Sequence, residues 1–258
     1  MRIIVTRPRA QAELLVAELQ REGIDAVALP LIDIAPVRDP LPLQQAWRDL
    51  PQLALLMFVS ANAVQQFMRH RPLQATWPAQ VLAGSTGPGT STALRQAGVP
   101  PQALVEPAGA VFDSEALWDR LRARDWSGRR VLVVRGENGR DWLAERFVAA
   151  GARVDFVAAY ERRLPQLDAP AKALLDVARR CPLQHLWVFS SSEAVANLAL
   201  LAPGAAWSRA AAIAAHERIA AAARQLGFGR VDRVAADAAA VAGAVAALKQ
   251  RSIQSGPP

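Results

Sequence analysis

Short apolar runs alternate along the chain with amphipathic segments. Residues 131–134 are β-branched and apolar, which predicts a strand covered on both faces. The segment 141–150 repeats its apolar residues at helical spacing, and Gly151 follows it as a C-terminal helix stop. A second strand is predicted over 154–160, and it ends in the only tyrosine of the chain, Tyr160. This stretch therefore predicts one strand–helix–strand unit.

The same alternation covers the rest of the chain. The further predicted strands are 2–5, an extended segment at 26–37, 53–59, 81–84, 104–105, 186–189, 211–214 and 230–234. The further predicted helices are 11–21, 43–49, 63–69, 91–96, a helix capped at Asp113 and ending near 123, and 171–180. Three more are a helix ending near 201 after a capping box from Ser190 to Glu193, a helix that follows the turn 216–218 and runs to 226, and 238–250. Strands that alternate with helices indicate an α/β fold with parallel sheets.

An internal repeat predicts two similar domains. A shift of about 128 positions places Arg7 on Arg135 and Gly23 on Gly151, and the segment 58–64 resembles 189–195. A period this long is unlike a solenoid and indicates a duplicated half. We expect domain 1 to comprise 1–36 and 164–251, and domain 2 to comprise 37–163. The extended segments near 31–37 and 157–163 are expected to lie side by side as a two-stranded linker, and 252–258 to be a disordered tail.

Composition narrows the class of protein. The chain lacks a stretch of 18 apolar residues, its start does not have the layout of a signal peptide, and its single cysteine, Cys181, excludes an internal disulfide. These features favour the cytoplasm. The net charge of +7 comes almost entirely from arginine. Such a bias is typical of a GC-rich genome, or of an anionic ligand that matches the guanidinium fork. The basic residues are scattered among acidic ones, which disfavours nucleic acid as a partner.

Polar loops follow several predicted strands, at the sheet edge where open α/β folds bind ligands. Thr6 and Arg7 follow the first strand, and His216 follows the strand at 211–214. The segments 60–62 and 190–192 are serine-bearing in both halves, which fits helix capping as well as hydrogen bonding to a polar ligand. The glycine-rich loop 84–90 could bind an anion through backbone N–H groups at a helix start, although it is neither a P-loop nor a dinucleotide motif.

Few residues suggest covalent or metal chemistry. The three histidines lack the spacing of a shared metal site, and no Ser-His-Asp order or nucleophile elbow is present. Tyr160 stands in the expected linker segment beside Glu161, Arg162 and Arg163. It is either a core aromatic residue or a hydroxyl that donates a proton or a hydrogen bond.

Seven motifs, in their order, resemble uroporphyrinogen-III synthase over about residues 1–250. They are Val5-Thr-Arg-Pro8, Phe58-Val-Ser-Ala-Asn-Ala-Val64, Gly87-Pro-Gly-Thr90, Asp113-Ser-Glu-Ala-Leu117, Arg135-Gly-Glu-Asn-Gly-Arg140, Val157-Ala-Ala-Tyr-Glu-Arg162 and Phe189-Ser-Ser-Ser192. The sequence departs from the family at the helix start after the strand near 214, which commonly carries a threonine and here reads His216-Glu-Arg-Ile219, and at Ser85 and Thr86, which are extra residues.

The resemblance implies a fold, a reaction and a site. The fold is two α/β domains joined by a two-stranded ladder, with the active site in the cleft between them. The reaction closes hydroxymethylbilane, a linear tetrapyrrole, to uroporphyrinogen III with ring D inverted and water lost. Tyr160 matches the family's conserved tyrosine and is the expected general acid. The expected substrate-binding residues are Thr6, Arg7, Ser60, Ala61, Asn62, Gly87, Thr90, Arg135, Gly136, Glu137, Asn138, Ser190, Ser191, Ser192 and His216.

The resemblance also implies partners. Hydroxymethylbilane is the expected small-molecule partner, and neither a metal nor an organic cofactor is expected. The chain is expected to be a monomer without nucleic-acid or membrane partners, in transient contact with the preceding enzyme of the pathway. The alternative function is a non-catalytic two-lobed module that binds or senses an anionic small molecule, because duplicated α/β lobes fit that function equally well.

Overall fold

The computed structural model describes residues 1–108, 113–137, 141–235 and 237–254 of the chain. The chain divides into two compact units. Unit 1 comprises Met1–Asp33 and the described residues from Arg163 onward, and unit 2 comprises Ile34–Arg162. The sequence predicts closely similar domain boundaries, and their assignment as folding domains stays a prediction.

The elements alternate between strand and helix as the apolar pattern predicts. The described strands are β1 Arg2–Val5, β2 Ala26–Ala28, β3 Asp33–Pro36, β4 Leu55–Phe58, β5 Leu82–Ser85, β6 Leu104–Val105, β7 Arg130–Gly136, β8 Arg153–Arg163, β9 His185–Phe189, β10 Ala211–Ala214 and β11 Arg230–Arg233. The described α-helices are α1 Arg9–Arg21, α2 Leu41–Asp49, α3 Ala61–Met68, α4 Pro88–Gln96, α5 Ser114–Leu121, α6 Trp142–Ala149, α7 Ala169–Arg180, α8 Ser192–Leu201, α9 Glu217–Gln225 and α10 Ala238–Gln254.

Each unit contains a sheet, and the two sheets have the same core order. Unit 1 has the order β11-β10-β9-β1-β2, and the other sheet has the order β3-β8-β7-β4-β5-β6. Every pairing with a described register is parallel. Reading the second sheet from β8 to β6 matches reading the first from β2 to β11. The internal duplication predicted from the sequence is therefore visible in the topology, with β3 as an added edge strand.

Apolar residues cover both faces of the sheets, as expected for parallel strands. In unit 1, Ile3, Val5 and Val188 pack against α1 and α10, while Trp187, Phe189, Trp207 and Phe228 form a group of stacked and edge-to-face rings. Unit 2 has one cluster around Phe58 and Phe67 and another around Trp126 and Phe147. Because the strands lie within these clusters, the loops at their ends are held in fixed positions.

Three local predictions need correction. Helix α10 continues to Gln254, so the prediction of a disordered tail is wrong for 252–254, where the sequence has no glycine or proline to stop a helix; 255–258 lie outside the described residues. The extended segments near 31–37 and 157–163 do lie side by side, but β3 and β8 form the edge of the six-stranded sheet. The N-cap of α8 is Ser191 rather than Ser190, and its hydroxyl accepts the N–H of Glu193.

Candidate functional site

Both sheets have a switch point, where the strand order reverses direction along the chain. It lies between β1 and β9 in unit 1, and between β7 and β4 in unit 2. Open α/β sheets bind ligands outside the carboxyl ends of the strands at such a point. Most predicted site residues follow β1, β4, β5, β7, β9 and β10, while Arg135 and Gly136 end β7 and Tyr160 lies near the carboxyl end of β8, so they lie at these two carboxyl edges. Asn138 lies outside the described residues.

The most specific geometry in unit 2 joins Tyr160 to Ser60. The two hydroxyl oxygens are 3.1 Å apart, and either can donate the hydrogen bond. Ser60 is also the N-cap of α3, because its oxygen accepts the N–H of Ala63 at 3.1 Å. Tyr160 is fully buried, whereas Ser60 is half-buried. The capping and the ligand-binding interpretations of Ser60 are therefore compatible, since one oxygen serves the helix and faces the tyrosine.

Gly136 makes room for the tyrosine ring. It lies beside Tyr160 on the neighbouring strand, after a register shift between Arg135 and Gly136. A Cβ atom at position 136 would lie 3.0 Å from Cε2 and 3.1 Å from Cζ of Tyr160. This spacing is tighter than ordinary van der Waals contact, so the glycine at this position permits the ring to reach Ser60.

Arg162 is a candidate site residue that the predicted set does not include. Its Nη2 lies 3.5 Å from the Tyr160 hydroxyl, and its guanidinium carbon is 5.8 Å from the centre of the ring. The signal that could have found it is spacing, because residues i and i+2 of a strand share one face. A guanidinium at this distance stabilises negative charge that develops on the phenol oxygen.

The other predicted residues of unit 2 are placed differently from one another. Arg135 forms an ion pair with Asp141, and its guanidinium carbon lies 4.1 Å from the centre of the Phe156 ring. Its positive charge is therefore partly neutralised by Asp141. Glu137 is exposed directly after β7. Ala61 and Asn62 form the first turn of α3, and both are half-buried.

Most hydrogen-bonding groups of the glycine-rich loop before α4 are bonded within the loop itself. Gly87 is the N-cap, and its carbonyl accepts the N–H groups of Thr90 and Ser91 at 3.0 Å each. Pro88, at the first helical position, has no N–H to offer. Ser85 is buried and bonds both Gly87 and the hydroxyl of Ser91. This loop therefore offers few free backbone donors for the predicted anion cradle, because Pro88 has no N–H and the N–H of Thr90 is already bonded.

In unit 1 the predicted residues differ in exposure, from the buried Thr6 to the exposed His216. Thr6 is fully buried, and its hydroxyl donates to the carbonyl of Val188 at 2.8 Å, so its side chain is not presented at the edge. Arg7 is half-buried beyond it. Burial lowers the pKa of Arg7, and the charges of Glu18 and Asp237 oppose that shift. A cation that burial has partly desolvated forms stronger interactions with an anion than a fully hydrated one.

Two helix starts complete the edge of unit 1. Ser190 and Ser191 are half-buried, and Oγ of Ser192 is buried without a hydrogen-bond partner among the described residues. His216 is the N-cap of α9, and its Nδ1 accepts the N–H of Arg218 at 3.2 Å. This bond satisfies one N–H of the first turn of α9, so His216 acts as a helix cap.

Within the described ranges, no group of three His, Cys, Asp or Glu side chains is close enough to hold a metal ion. None of the helices in the described part combines the length and the apolar character needed to cross a membrane.

Comparisons with known proteins agree on one family. The family profile described as "Uroporphyrinogen-III synthase HemD" matches residues 13–243. A protein of Escherichia coli (strain K12) named "Uroporphyrinogen-III synthase" is 30% identical over 236 residues, which cover 88% of this chain and 92% of that protein.

Two solved structures share the fold. A mutant uroporphyrinogen III synthase from the extremely thermophilic bacterium Thermus thermophilus aligns with a TM-score of 0.58 at 20% identity, covering 97% of this chain and 99% of that one. Uroporphyrinogen-III synthetase from Helicobacter pylori 26695 aligns with a TM-score of 0.57 at 15% identity, covering 97% of this chain and 100% of that one. At these identities the likeness shows an α/β fold with parallel sheets.

Proposed function

The chain belongs to the uroporphyrinogen-III synthase family, and we propose from this membership that it cyclises hydroxymethylbilane to uroporphyrinogen III in tetrapyrrole biosynthesis. Ring D is inverted and one water is lost, which makes the enzyme a cyclising carbon–oxygen lyase. The observation that carries the proposal for the site is the hydrogen bond between Tyr160 and Ser60 at the switch point of unit 2.

The reaction needs a proton on the terminal hydroxyl of the bilane, and it needs the enzyme to hold the bilane in one conformation. Protonation of the terminal hydroxyl releases water and leaves an azafulvenium cation. The substituted carbon of ring D attacks this cation to give a spiro intermediate, which fragments and recloses through the other carbon, and a proton is lost at the end. Without control of shape the bilane closes through the unsubstituted carbon instead, so orientation is a large part of the catalysis.

Tyr160 is the proposed source of the proton, and Ser60 the proposed route to the substrate. Tyr160 is fully buried, while Ser60 is half-buried and in hydrogen-bond contact with it. A proton passes from the Ser60 hydroxyl to the leaving oxygen as Ser60 takes the proton of Tyr160. The phenolate that remains lies near the guanidinium of Arg162, and it recovers a proton when the ring closes.

The carboxylates of the substrate require several weak contacts rather than one strong one. In unit 2 we propose contacts from Ser60, Ala61, Asn62, Gly87, Thr90, Arg135, Gly136 and Glu137, with the carboxylate of Glu137 accepting from a pyrrole N–H of the substrate rather than meeting one of its carboxylates. In unit 1 we propose contacts from Arg7, Ser190, Ser191, Ser192 and His216. The predicted contact from Thr6 is not carried further, because its hydroxyl and its N–H both donate to Val188 and its carbonyl accepts the N–H of Leu31. Arg7 supports this assignment best, because a half-buried guanidinium at a sheet edge is suited to a carboxylate.

The further expectations about the chain stay proposals. We propose a monomer in the cytoplasm that works without a cofactor and meets the preceding pathway enzyme transiently. The scatter of arginines among acids supports a small anionic substrate over nucleic acid.

Product analysis tests the function. Hydroxymethylbilane is generated, the protein is added, and the products are oxidised and separated into isomers I and III by chromatography. We expect isomer III to predominate with the protein and isomer I without it. Isomer I alone, formed at the spontaneous rate, would contradict the proposal and favour the non-catalytic binding module.

A further inference from the structure

A concave site lies in unit 2, at the edge of the sheet opposite to Ser60 and Tyr160. Strands β4, β5, β7 and β8 are parallel, so their amino ends meet at one edge. There a concavity of about 660 Å³ is lined by four arginines, Arg124, Arg129, Arg130 and Arg153. This volume lies within the range of small-molecule sites, roughly 300–1,000 Å³.

The positive charge of this pocket is incompletely neutralised. Arg130 lies near two carboxylates, with Nη2 3.6 Å from Asp49 and 3.7 Å from Asp155. The other three arginines are exposed, and no carboxylate of the described residues lies within ion-pairing distance of them. Asp125 also lines the pocket, but its carboxylate accepts the backbone N–H of Ser127 at 2.9 Å.

The duplication provides an internal control for this arrangement. In the register of β7 and β8, Arg130 and Arg153 are directly paired. The same shift of 128 positions places Arg130 on Arg2 and Arg153 on Asp25. In unit 1 these residues form an ion pair, with Nε of Arg2 3.1 Å from the carboxylate of Asp25. Unit 2 therefore has the cation Arg153 at the position where unit 1 has Asp25, the counter-ion of Arg2. An anion that binds between Arg130 and Arg153 would decrease the repulsion between their guanidiniums.

The backbone that carries these arginines is held by its own hydrogen bonds. Gly128 donates to the carbonyl of Gly151 at 2.9 Å, and Arg153 donates to the carbonyl of Arg129 at 2.8 Å. The buried Trp126 holds the loop between α5 and β7 in place, because its indole N–H donates to the carbonyl of Leu121 at 2.9 Å. The pocket therefore does not have to order its backbone when a ligand binds, which favours affinity.

We propose that this pocket binds a small anion that carries two or more oxyanion groups, either phosphates or carboxylates. Guanidinium groups bind both kinds of oxyanion through paired N–H donors. Several such groups around one concavity select a multivalent anion over a monovalent one, because each additional oxyanion meets a further guanidinium. The site lies at the edge opposite to the one proposed for the tetrapyrrole, and it does not depend on the proposed function.

Calorimetric titration of the full chain tests the proposal, with tripolyphosphate and citrate as separate probes at about 0.15 M salt, where screening limits non-specific attraction. We expect one bound anion per chain. Binding of tripolyphosphate alone identifies a phosphate ligand, binding of citrate alone a carboxylate ligand, and binding of both the shared chemistry. Binding of neither would overturn the proposal.

Two charge reversals separate a site from general attraction. Arg153→Asp rebuilds the ion pair of unit 1 and should weaken binding about tenfold or more, because it removes charge-assisted hydrogen bonds. Arg120→Asp changes the net charge by the same amount at an exposed position of α5, outside the residues that line the pocket. It should leave the affinity within about twofold. Equal losses in the two variants would overturn the proposal. If Arg153→Asp does not fold, Arg124→Gln with Arg129→Gln replaces it, with the same expectation.

Discussion

The carboxyl edges of the two sheets share a topology and differ in chemistry. In unit 2, Tyr160, Ser60 and Arg162 meet around one phenol oxygen. In unit 1, a shift of 128 positions places the buried Ile32 where unit 2 has Tyr160. There the hydroxyl of Thr6 is used inside the sheet, on the carbonyl of Val188. The duplicated strands thus support a polar cluster in one unit and an apolar position in the other.

The capping serines show which features the fold itself requires. Ser60 and Ser191 occupy equivalent places before α3 and α8, and each accepts an N–H of its helix. This role explains both serines without any ligand. Tyr160 and Gly136 have no such equivalent, because the same shift places Ile32 and Pro8 at their positions. Residues that differ between the copies are therefore the stronger indication of function in this chain.

Of the substitutions that test this comparison, removal of the phenol oxygen should have the largest effect on the reaction rate. Tyr160→Phe keeps the buried ring and loses the hydroxyl that Ser60 and Arg162 contact. We expect the rate of isomer III formation to fall roughly 10²–10⁴-fold, as for the loss of a general acid. The measurement is the initial rate, with the unfolding midpoint recorded for the same preparation.

The matched control is Thr6→Val, which removes a buried hydroxyl from the equivalent edge of unit 1. It should lower the free energy of unfolding by about 1 kcal/mol and change the rate far less than Tyr160→Phe. Full activity in Tyr160→Phe would contradict the proposal that Tyr160 donates the proton.

The second prediction concerns the space beneath the ring. Gly136→Ala places a Cβ 3.0 Å from Cε2 of Tyr160, so the ring or the strand must shift. We expect a loss of about 1–3 kcal/mol in stability from overpacking, together with a lower rate because the hydroxyl moves away from Ser60. Gly136→Ala combined with Tyr160→Phe should then lose little further rate. If the two losses in rate multiply, the glycine acts independently of the tyrosine.

The third prediction compares the two capping serines directly. Ser60→Ala and Ser191→Ala should each reduce stability by about 1 kcal/mol, because each removes one helix N-cap. Under the proposed proton route, Ser60→Ala should also lower the rate, and by more than Ser191→Ala does. Urea unfolding and initial rates of isomer III formation measure the two effects. Equal rates in the two variants would restrict Ser60 to its capping role.

Much of this fold could be predicted from the sequence. The run 131–134 and its copy at 3–5 are apolar and mostly β-branched, and glycines such as Gly23 and Gly151 have positive φ at the helix ends. These signals are local, so the strands, the helices and the duplication follow from them. The position of Ser191 as the cap of α8 did not, because adjacent serines offer the same chemistry and tertiary packing selects between them.

The site was less predictable because it depends on which strands are neighbours. The residues Ser60 and Tyr160 are 100 positions apart, and their contact requires β4, β7 and β8 to be adjacent. The role of Gly136 depends on a register shift that no short motif encodes. The inward turn of Thr6 likewise depends on Val188 of β9, which follows it by 182 positions. Motifs therefore place residues at the carboxyl edges of the sheets, while the long-range pairing decides what each side chain contacts there.

The smallest predicted effect distinguishes the helix starts at α9 and α4. Helix α9 begins with Glu217 after the His216 cap, whereas its counterpart α4 begins with Pro88. The hydrogen bond from Arg224, at 2.8 Å, lowers the pKa of Glu217, and the charge of Arg224 adds to the shift. A carboxyl with a lower pKa in the folded state stabilises the fold above its unfolded pKa, and this contribution is lost as the pH falls through the folded pKa.

We therefore expect Glu217→Gln to make unfolding stability less dependent on pH on the acid side, below about pH 5, with only a small change near neutrality because the pair is exposed. Unfolding midpoints measured across that range test this expectation. Glu22→Gln is the control, since it removes an exposed carboxylate for which the described residues provide no ion pair. Identical acid profiles for the two variants would mean that the Arg224 hydrogen bond does not persist in solution.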